Sequence, residues 1–275
     1  MWFRHAMTSQ HDLAVRFREL HVPGRPLALA NAWDAASARV VAATGAPAVA
    51  TTSAGVAWGL GTADGDRLDR ASAVALIGRV AAVVEVPVSA DIESGFSEDP
   101  DGVADTVAEV LAAGAVGVNL EDGIREPAEH AERIAAARRA ADAAGVPLFI
   151  NARIDVFLFG LGAPETRLTE TLARAERYLE AGATGIFVPG VVVPETVAAL
   201  AKDIAAPLNI LVGPGAPSVG ELGALGVARV SLGSGVAEAA YGLVRRAAQE
   251  LATSGTYTSV AESIDYGELN KLMSF

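Results

Sequence analysis

The chain has 275 residues, 51% of them hydrophobic, with a formal net charge of −12 and no cysteine. That is apolar material enough for one large core, and it excludes disulfides, thiolate metal sites and cysteine catalysis. An acidic chain without a basic stripe also argues against nucleic acid or an anionic membrane as partner, although a small carboxylate substrate needs only a local arginine or metal.

The first residues, MWFRHAMTSQHD, hold no apolar h-region, so no signal peptide is expected there. Eight short apolar runs follow, at residues 27–32, 48–53, 87–93, 117–122, 148–155, 185–190, 208–213 and 229–234. Continuous runs of this length read as strands buried on both faces. Ala/Arg/Glu-rich segments of helical period lie between them, such as 128–144 and 165–181. Gly-Ala or Gly-Val pairs punctuate the ends of these segments, at Gly45, Gly114, Gly145, Gly182 and Gly226. Strand–helix units recurring roughly every 20–40 residues predict parallel βαβ packing. Eight of them predict a closed (β/α)8 TIM barrel, with an open doubly wound sheet as the alternative. The segment 54–70 reads as a long loop over one face of the barrel. The longest apolar stretch, 71–84, is interrupted by Arg79 and is no membrane span. No linker divides the chain: residues 1–275 form one domain, with the barrel over about 27–252 and a C-terminal helical tail over 253–275. The tail's spaced apolar residues cap the barrel or pack on a second subunit. A cytoplasmic location is expected.

In a (β/α)8 barrel the C-terminal ends of the strands build the active face. The first run offers Asn31, Trp33 and Asp34 there, and the second Thr51, Thr52 and Ser53, followed by the small Ala54. The third offers Asp91 and Glu93, the fourth Asn119, Glu121 and Asp122, and the fifth Asn151, Arg153 and Asp155. Carboxylates gathered from two adjacent strands repel each other unless a cation holds them. Oxygen ligands without histidine or cysteine favour Mg²⁺, or Mn²⁺, over zinc. Such an ion polarises a carbonyl and a carboxylate of one substrate, and Arg153 takes a carboxylate in bidentate fashion. Blander roles compete: Asp91 as a helix cap, Glu93 as an ion-pair partner, Arg153 as counter-ion to Asp155 or Glu121, and Trp33 as core. His130 reads as a solvated surface residue, and His5, His11 and His21 precede the first strand. The glycine-rich turns 213–218 and 233–236 stand where many barrels bind phosphate, but tight turns are the simpler reading.

Four segments carry a resemblance: NAWDAASARVVAATGAPAVATTSAGVAWGLGTADG (31–65), SADIESGF (89–96), GVNLEDG (117–123) and INARIDVF (150–157). In this order the chain resembles the isocitrate lyase/phosphoenolpyruvate mutase superfamily over about residues 27–240. The resemblance implies a Mg²⁺-dependent barrel acting on 2-oxo or 2-hydroxy acids through an enolate-type pyruvate intermediate. It implies Asp91, Glu93 and Glu121 as metal ligands, directly or through water, with Asp64 near the metal's water shell. It implies that Thr52, Ser53 and Ala54 meet the substrate carboxylate and that Arg153 binds substrate oxygens. It also implies homodimers or homotetramers that exchange the last barrel helix.

The departures fall where the reaction is chosen. The lyases' Lys-Lys/Arg-Cys-Gly-His loop is replaced by Gly123-Ile124-Arg125-Glu126-Pro127, and the mutases' lysine and asparagine are missing from it as well. A histidine common after the sixth strand is Pro189 here. Arg125 and Glu126 are the nearest replacements, which makes Glu126 a candidate catalytic residue beside Arg153 and Asp64. Three expectations follow: a C–C lyase for a small 2-hydroxy- or 2-oxo-dicarboxylate, a C–P mutase or an oxaloacetate hydrolase or decarboxylase, and a barrel that binds a 2-oxo acid without turnover.

Overall fold

The computed structural model describes residues 9–274. The first eight residues, with the signal-peptide reading and His5, and Phe275 lie outside the described residues. The strands are β1 (Leu27–Leu29), β2 (Asn31–Ala32), β3 (Val49–Thr51), β4 (Val88–Asp91), β5 (Gly117–Glu121), β6 (Phe149–Arg153), β7 (Gly185–Val188), β8 (Leu208–Leu211) and β9 (Arg229–Ser231). All pairings between them are parallel, in the order β1-β9-β8-β7-β6-β5-β4-β3-β2. The first predicted run breaks at Ala30. Its first half pairs with β9 and its second half with β3, so this one stave closes the circuit. The fold is a (β/α)8 barrel.

Helices alternate with the staves: α2 (Ala35–Ala43), α3 (Ser53–Gly59), α4 (Arg70–Ala82), α5 (Pro100–Ala112), α6 (Pro127–Ala143), α7 (Arg167–Glu180), α8 (Pro194–Asp203), α9 (Val219–Ala224) and α10 (Gly235–Ser254); α1 (Gln10–Glu19) precedes the barrel and α11 (Tyr266–Met273) ends it. Their starts are written in the sequence. Asp34, Asp69, Asp99 and Ser218 cap α2, α4, α5 and α9 with side-chain oxygens, and Pro100, Pro127 and Pro194 open α5, α6 and α8. The five punctuating glycines all have positive φ, from 68° at Gly145 to 109° at Gly182. The segment 54–70 is not wholly a loop, because its first third is α3. Three small residues, Ser53, Ala54 and Gly55, let that helix lie close in: a Cβ on Gly55 would stand 2.8 Å from the Trp33 Cβ. No described helix is long and apolar enough to cross a membrane.

The N-terminal end of the barrel is plugged. Phe17 of α1 and His21 reach the first residues of β5 and β6, with the Phe17 ring edge-on to Phe149 at 5.6 Å and His21 stacked on it at 3.9 Å. Gly117 makes room, since a Cβ there would meet Phe17 at 2.5 Å. Burial holds the His21 imidazole neutral, with its pKa pushed down to about 3. Access to the barrel interior is therefore from the other end.

Of the twenty residues of α10 only Ala237 is buried, while Val244 and Leu251 stand more than 60% exposed. An apolar groove of about 490 Å³, lined by Ala28, Val41, Val212, Val230 and Leu232 among others, stays open on the outer face of β1, β8 and β9. The tail folds back so that α11 packs on α2, with the Arg39 side chain donating to the Leu272 carbonyl at 2.7 Å.

Candidate active site

Asp91 ends β4 beneath the start of α3. Its amide donates to Thr51 Oγ1 at 2.8 Å, and its carboxylate accepts from the Ser53 amide at 3.2 Å. The carboxylate thus holds the first amide of α3 from the end of β4. Burial raises the Asp91 pKa against the opposing pull of Arg153, and the charge of Asp64 adds to the rise.

Glu93 follows in the left-handed region at φ 49° and is almost fully buried. Its carboxylate accepts from the Asp66 amide, while Asp66 in turn takes the Ser94 amide at 3.3 Å. Asp66 and Phe96 also have positive φ, at 54° and 50°. Among the described residues Asp66, Glu93 and Phe96 are the only non-glycine positions so strained, each at roughly 1–2 kcal/mol; Asp66 is bonded to Glu93 and Phe96 follows it by three residues. Strain concentrated this way marks a site whose geometry the surroundings impose. Burial first, then Asp64, Asp66 and Asp91, push Glu93 up to about 7 against the hydrogen bond from Asp66.

Glu121 ends β5, in register with Arg153 on β6. Arg153 Nη1 meets Glu121 at 2.5 Å and its Nε meets Asp155 at 2.7 Å. Arg153 is therefore the counter-ion of both. Burial nevertheless carries Glu121 up to about 8, with Asp91, Asp155 and Glu93 adding to it against Arg153. Asp122, one residue on, points away from the mouth. It accepts from Arg174 Nη1 at 2.8 Å, Tyr178 Oη at 2.8 Å and the Asp155 amide at 2.9 Å. A chain of contacts thus runs from α7 through Asp122 and Asp155 to Arg153 and Glu121. Sequence reading missed Arg174 and Tyr178. Their one signal is the i, i+4 spacing of two large polar residues on the inner face of α7.

The structure brings Asp91, Glu93, Glu121, Arg153, Ser53 and Asp64 to one end of the barrel. Thr52 caps α3 without a side-chain bond, and its amide donates to the Ala32 carbonyl. Ala54 is buried in the first turn of α3. Trp33 is half-buried and packs with Val56, Leu68, Ala73 and Leu76 in a small cluster under the loop. Glu126 stands exposed at the start of α6 with no hydrogen bond to cap it. His130 corrects the surface reading: it is fully buried on α6, edge-on to Tyr178 at 4.8 Å, and burial holds its pKa down at about 3. Its position faces the barrel because α6 turns that side inward, which the alanine-rich pattern around it hides. The turn after β9 is occupied in the fold: the Gly233 amide donates to Asn31 Oδ1 at 2.9 Å.

Among the described residues no three His, Cys, Asp or Glu side chains form a ready cage for a metal ion. The donor set nonetheless fits Mg²⁺, which keeps several waters and needs only one or two direct carboxylates. Asp91, Glu93 and Glu121 are oxygen donors whose crowded, buried charge favours a cation.

The phosphoenolpyruvate phosphomutase family matches residues 17–252. The chain belongs to that family. With the lyases below it stands in the isocitrate lyase/phosphoenolpyruvate mutase superfamily. An uncharacterized protein of Mycobacterium tuberculosis (strain ATCC 25618 / H37Rv) is 41% identical over 79% of this chain and 81% of its own. The oxaloacetate decarboxylase of Pseudomonas entomophila (strain L48) is 27% identical over 74% and 71%, and the 2-methylisocitrate lyase of Escherichia coli (strain K12) 29% over 70% and 65%. A crystal structure of a presumed phosphonomutase from Burkholderia cenocepacia J2315 is 44% identical with a TM-score of 0.84, covering 86% of this chain and 99% of that one. A phosphonopyruvate hydrolase solved with oxalate and Mg²⁺ shares the fold, with a TM-score of 0.81 at 23% identity over 95% and 94% of the two chains. Family membership makes an enzyme the plain reading of this site.

Proposed function

We propose that the chain is a Mg²⁺-dependent lyase that cleaves a C–C bond of a small 2-hydroxy- or 2-oxo-dicarboxylate through a pyruvate-enolate-like intermediate. The observation that carries this is the set Asp91, Glu93 and Glu121, buried with raised pKa values around Arg153 at the open end of a barrel of this family. The three carboxylates would hold the ion, with Mn²⁺ as a substitute. When bound, that ion would polarise the substrate carbonyl and offset enolate charge. Arg153, pre-set by Asp155, exchanges its pairing with Glu121 for the substrate oxygens. Ser53 and Ala54, in the first turn of α3, would meet the substrate carboxylate, with Thr52 and Trp33 closing that side. Asp64 sits close enough for its charge to reach Asp91 and Glu93. Glu126, on the loop that replaces the lyase motif, returns a proton to the enolate carbon directly or through water. The test is turnover of a panel of such acids with and without EDTA. EDTA-sensitive release of a 2-oxo acid supports the reading; equal rates in both refute it.

Oxaloacetate decarboxylation is the second reading, favoured by the 27% identical relative of that name. It predicts pyruvate and CO₂ from oxaloacetate alone. The exposed apolar side of α10 and the open groove on β1, β8 and β9 support a homodimer or homotetramer in which α10 is exchanged between copies. Light scattering checks this, and a monomer at micromolar concentration would contradict it.

A further inference from the structure

Among the described residues, Arg229 is the one large cation in the barrel interior that the proposed function leaves unused. It opens β9 and is fully buried. Its side chain crosses the barrel, where Nη2 donates to Asn119 Oδ1 on β5 at 3.4 Å, and Asn119 also accepts from Asn151 at 2.9 Å. Its Nε and Nη1 meet no protein acceptor, and neither does Nδ2 of Asn209, its register neighbour on β8. Asn119 is the register partner of Asp91 and lies two residues below Glu121 on the same strand. The guanidinium therefore sits roughly 7 Å beneath Glu121, given a strand rise of about 3.3 Å per residue, and at the register level of Asp91. Below it is His21, whose imidazole burial keeps neutral. Arg229 forms no ion pair with a described carboxylate, but the charge of Asp91 reaches it against the effect of burial. Burying a charge without an ion-pair partner costs folding free energy, so its presence asks for a role.

We propose that Arg229 is a positioning residue for the site above it, a fixed buried cation that weakens divalent-cation binding by the empty carboxylate cluster and strengthens binding of the anionic substrate once the cation is in place. The inference rests on the cation-dependent reading of the site. Asp64, Asp66, Asp91, Glu93, Glu121 and Asp155 gather their charge against only Arg153 and Arg229, so the empty cluster is strongly anionic and each cation counts. Without Arg229 the cluster would hold the divalent ion more tightly, and the loaded site would repel a carboxylate more strongly.

The test is Mn²⁺ titration of the full-length protein by calorimetry, followed by oxalate titration of the Mn²⁺-loaded protein, for wild type, R229M, R229K and N209D. For R229M the expected result is opposite signs: Mn²⁺ affinity at least tenfold higher and oxalate affinity at least tenfold lower, the lower bound for a buried unit charge acting on a doubly charged ligand at an effective dielectric of about 20. R229K restores both. N209D keeps the guanidinium but neutralises it in place, so it raises Mn²⁺ affinity in the same direction and serves if R229M fails to fold. A residue that only supports the barrel would give weaker binding of both ligands or no change in either, and either result overturns the proposal. If wild type binds neither Mn²⁺ nor oxalate, the cation-dependent function falls first and this role falls with it.

Discussion

Arg174→Met tests whether α7 truly holds the site's arginine in place. Asp122 is fully buried and has three partners: Arg174, Tyr178 and the Asp155 amide. Removing the guanidinium leaves a buried carboxylate with two neutral donors. Breaking a buried pair in this way costs about 3–5 kcal/mol. At about 2–4 °C per kcal/mol for a chain near this size, the thermal midpoint falls by roughly 6–20 °C. Arg174 also donates to Glu170 at 2.8 Å, but Glu170 is half-exposed and loses little. Asp122→Asn in the same background removes the stranded charge, so the double variant regains much of the loss. A double-mutant cycle by denaturant unfolding should show coupling of about 2 kcal/mol or more. A loss below about 1 kcal/mol for R174M, or strictly additive effects, would refute the reasoning.

Gly117→Ala drives a Cβ to 2.5 Å from Phe17; overpacking of this kind costs about 1–3 kcal/mol, read as a lowered urea midpoint with the slope unchanged. Burial, with the neighbouring carboxylates, pushes Glu93 up to about 7 and Glu121 up to about 8, above the ordinary 4.5. A bound cation must displace those protons, so Mn²⁺ affinity should rise between about pH 6 and 8 with proton release measurable in two buffers of different ionisation enthalpy; a pH-independent affinity would contradict it. Because the folded values are raised, their contribution to stability is fully present below about pH 4.5 and is lost as pH rises through 7 and 8, so added Mn²⁺ should raise the melting midpoint more at pH 8 than at pH 6. His130 works in the opposite sense. Its folded value of about 3 lies below the ordinary 6.5, so stability is lost as pH falls from about 6.5 toward 3, and H130F should flatten that part of the acid-denaturation curve.

The staves were legible because each is a continuous apolar run between glycine-marked helix ends, as burial on both faces requires. The break at Ala30 was not, since it depends on which neighbour each half of the stave pairs with. The start of α3 hid inside a glycine- and alanine-rich segment that lacks a strong helical pattern. Asp91, Glu93, Glu121 and Arg153 could be named early because position at a strand's C-terminal end implies position at the mouth. Asp66, Arg174, Tyr178 and Arg229 could not. Their importance depends on which way a loop or helix turns them, and no local pattern encodes that. Asp122 shows the limit most clearly: it neighbours Glu121 in sequence, yet the alternation of a strand sends its carboxylate outward to α7.

The most direct test of the central claim is hydrogen exchange at the methyl group of pyruvate in D₂O, followed by proton NMR. An enolate site built from Asp91, Glu93, Glu121 and Arg153 predicts that protein plus Mg²⁺ speeds exchange well above the buffer rate, and that EDTA or D91A returns it to that rate. Exchange no faster than in buffer, or equally fast with EDTA, would contradict the account.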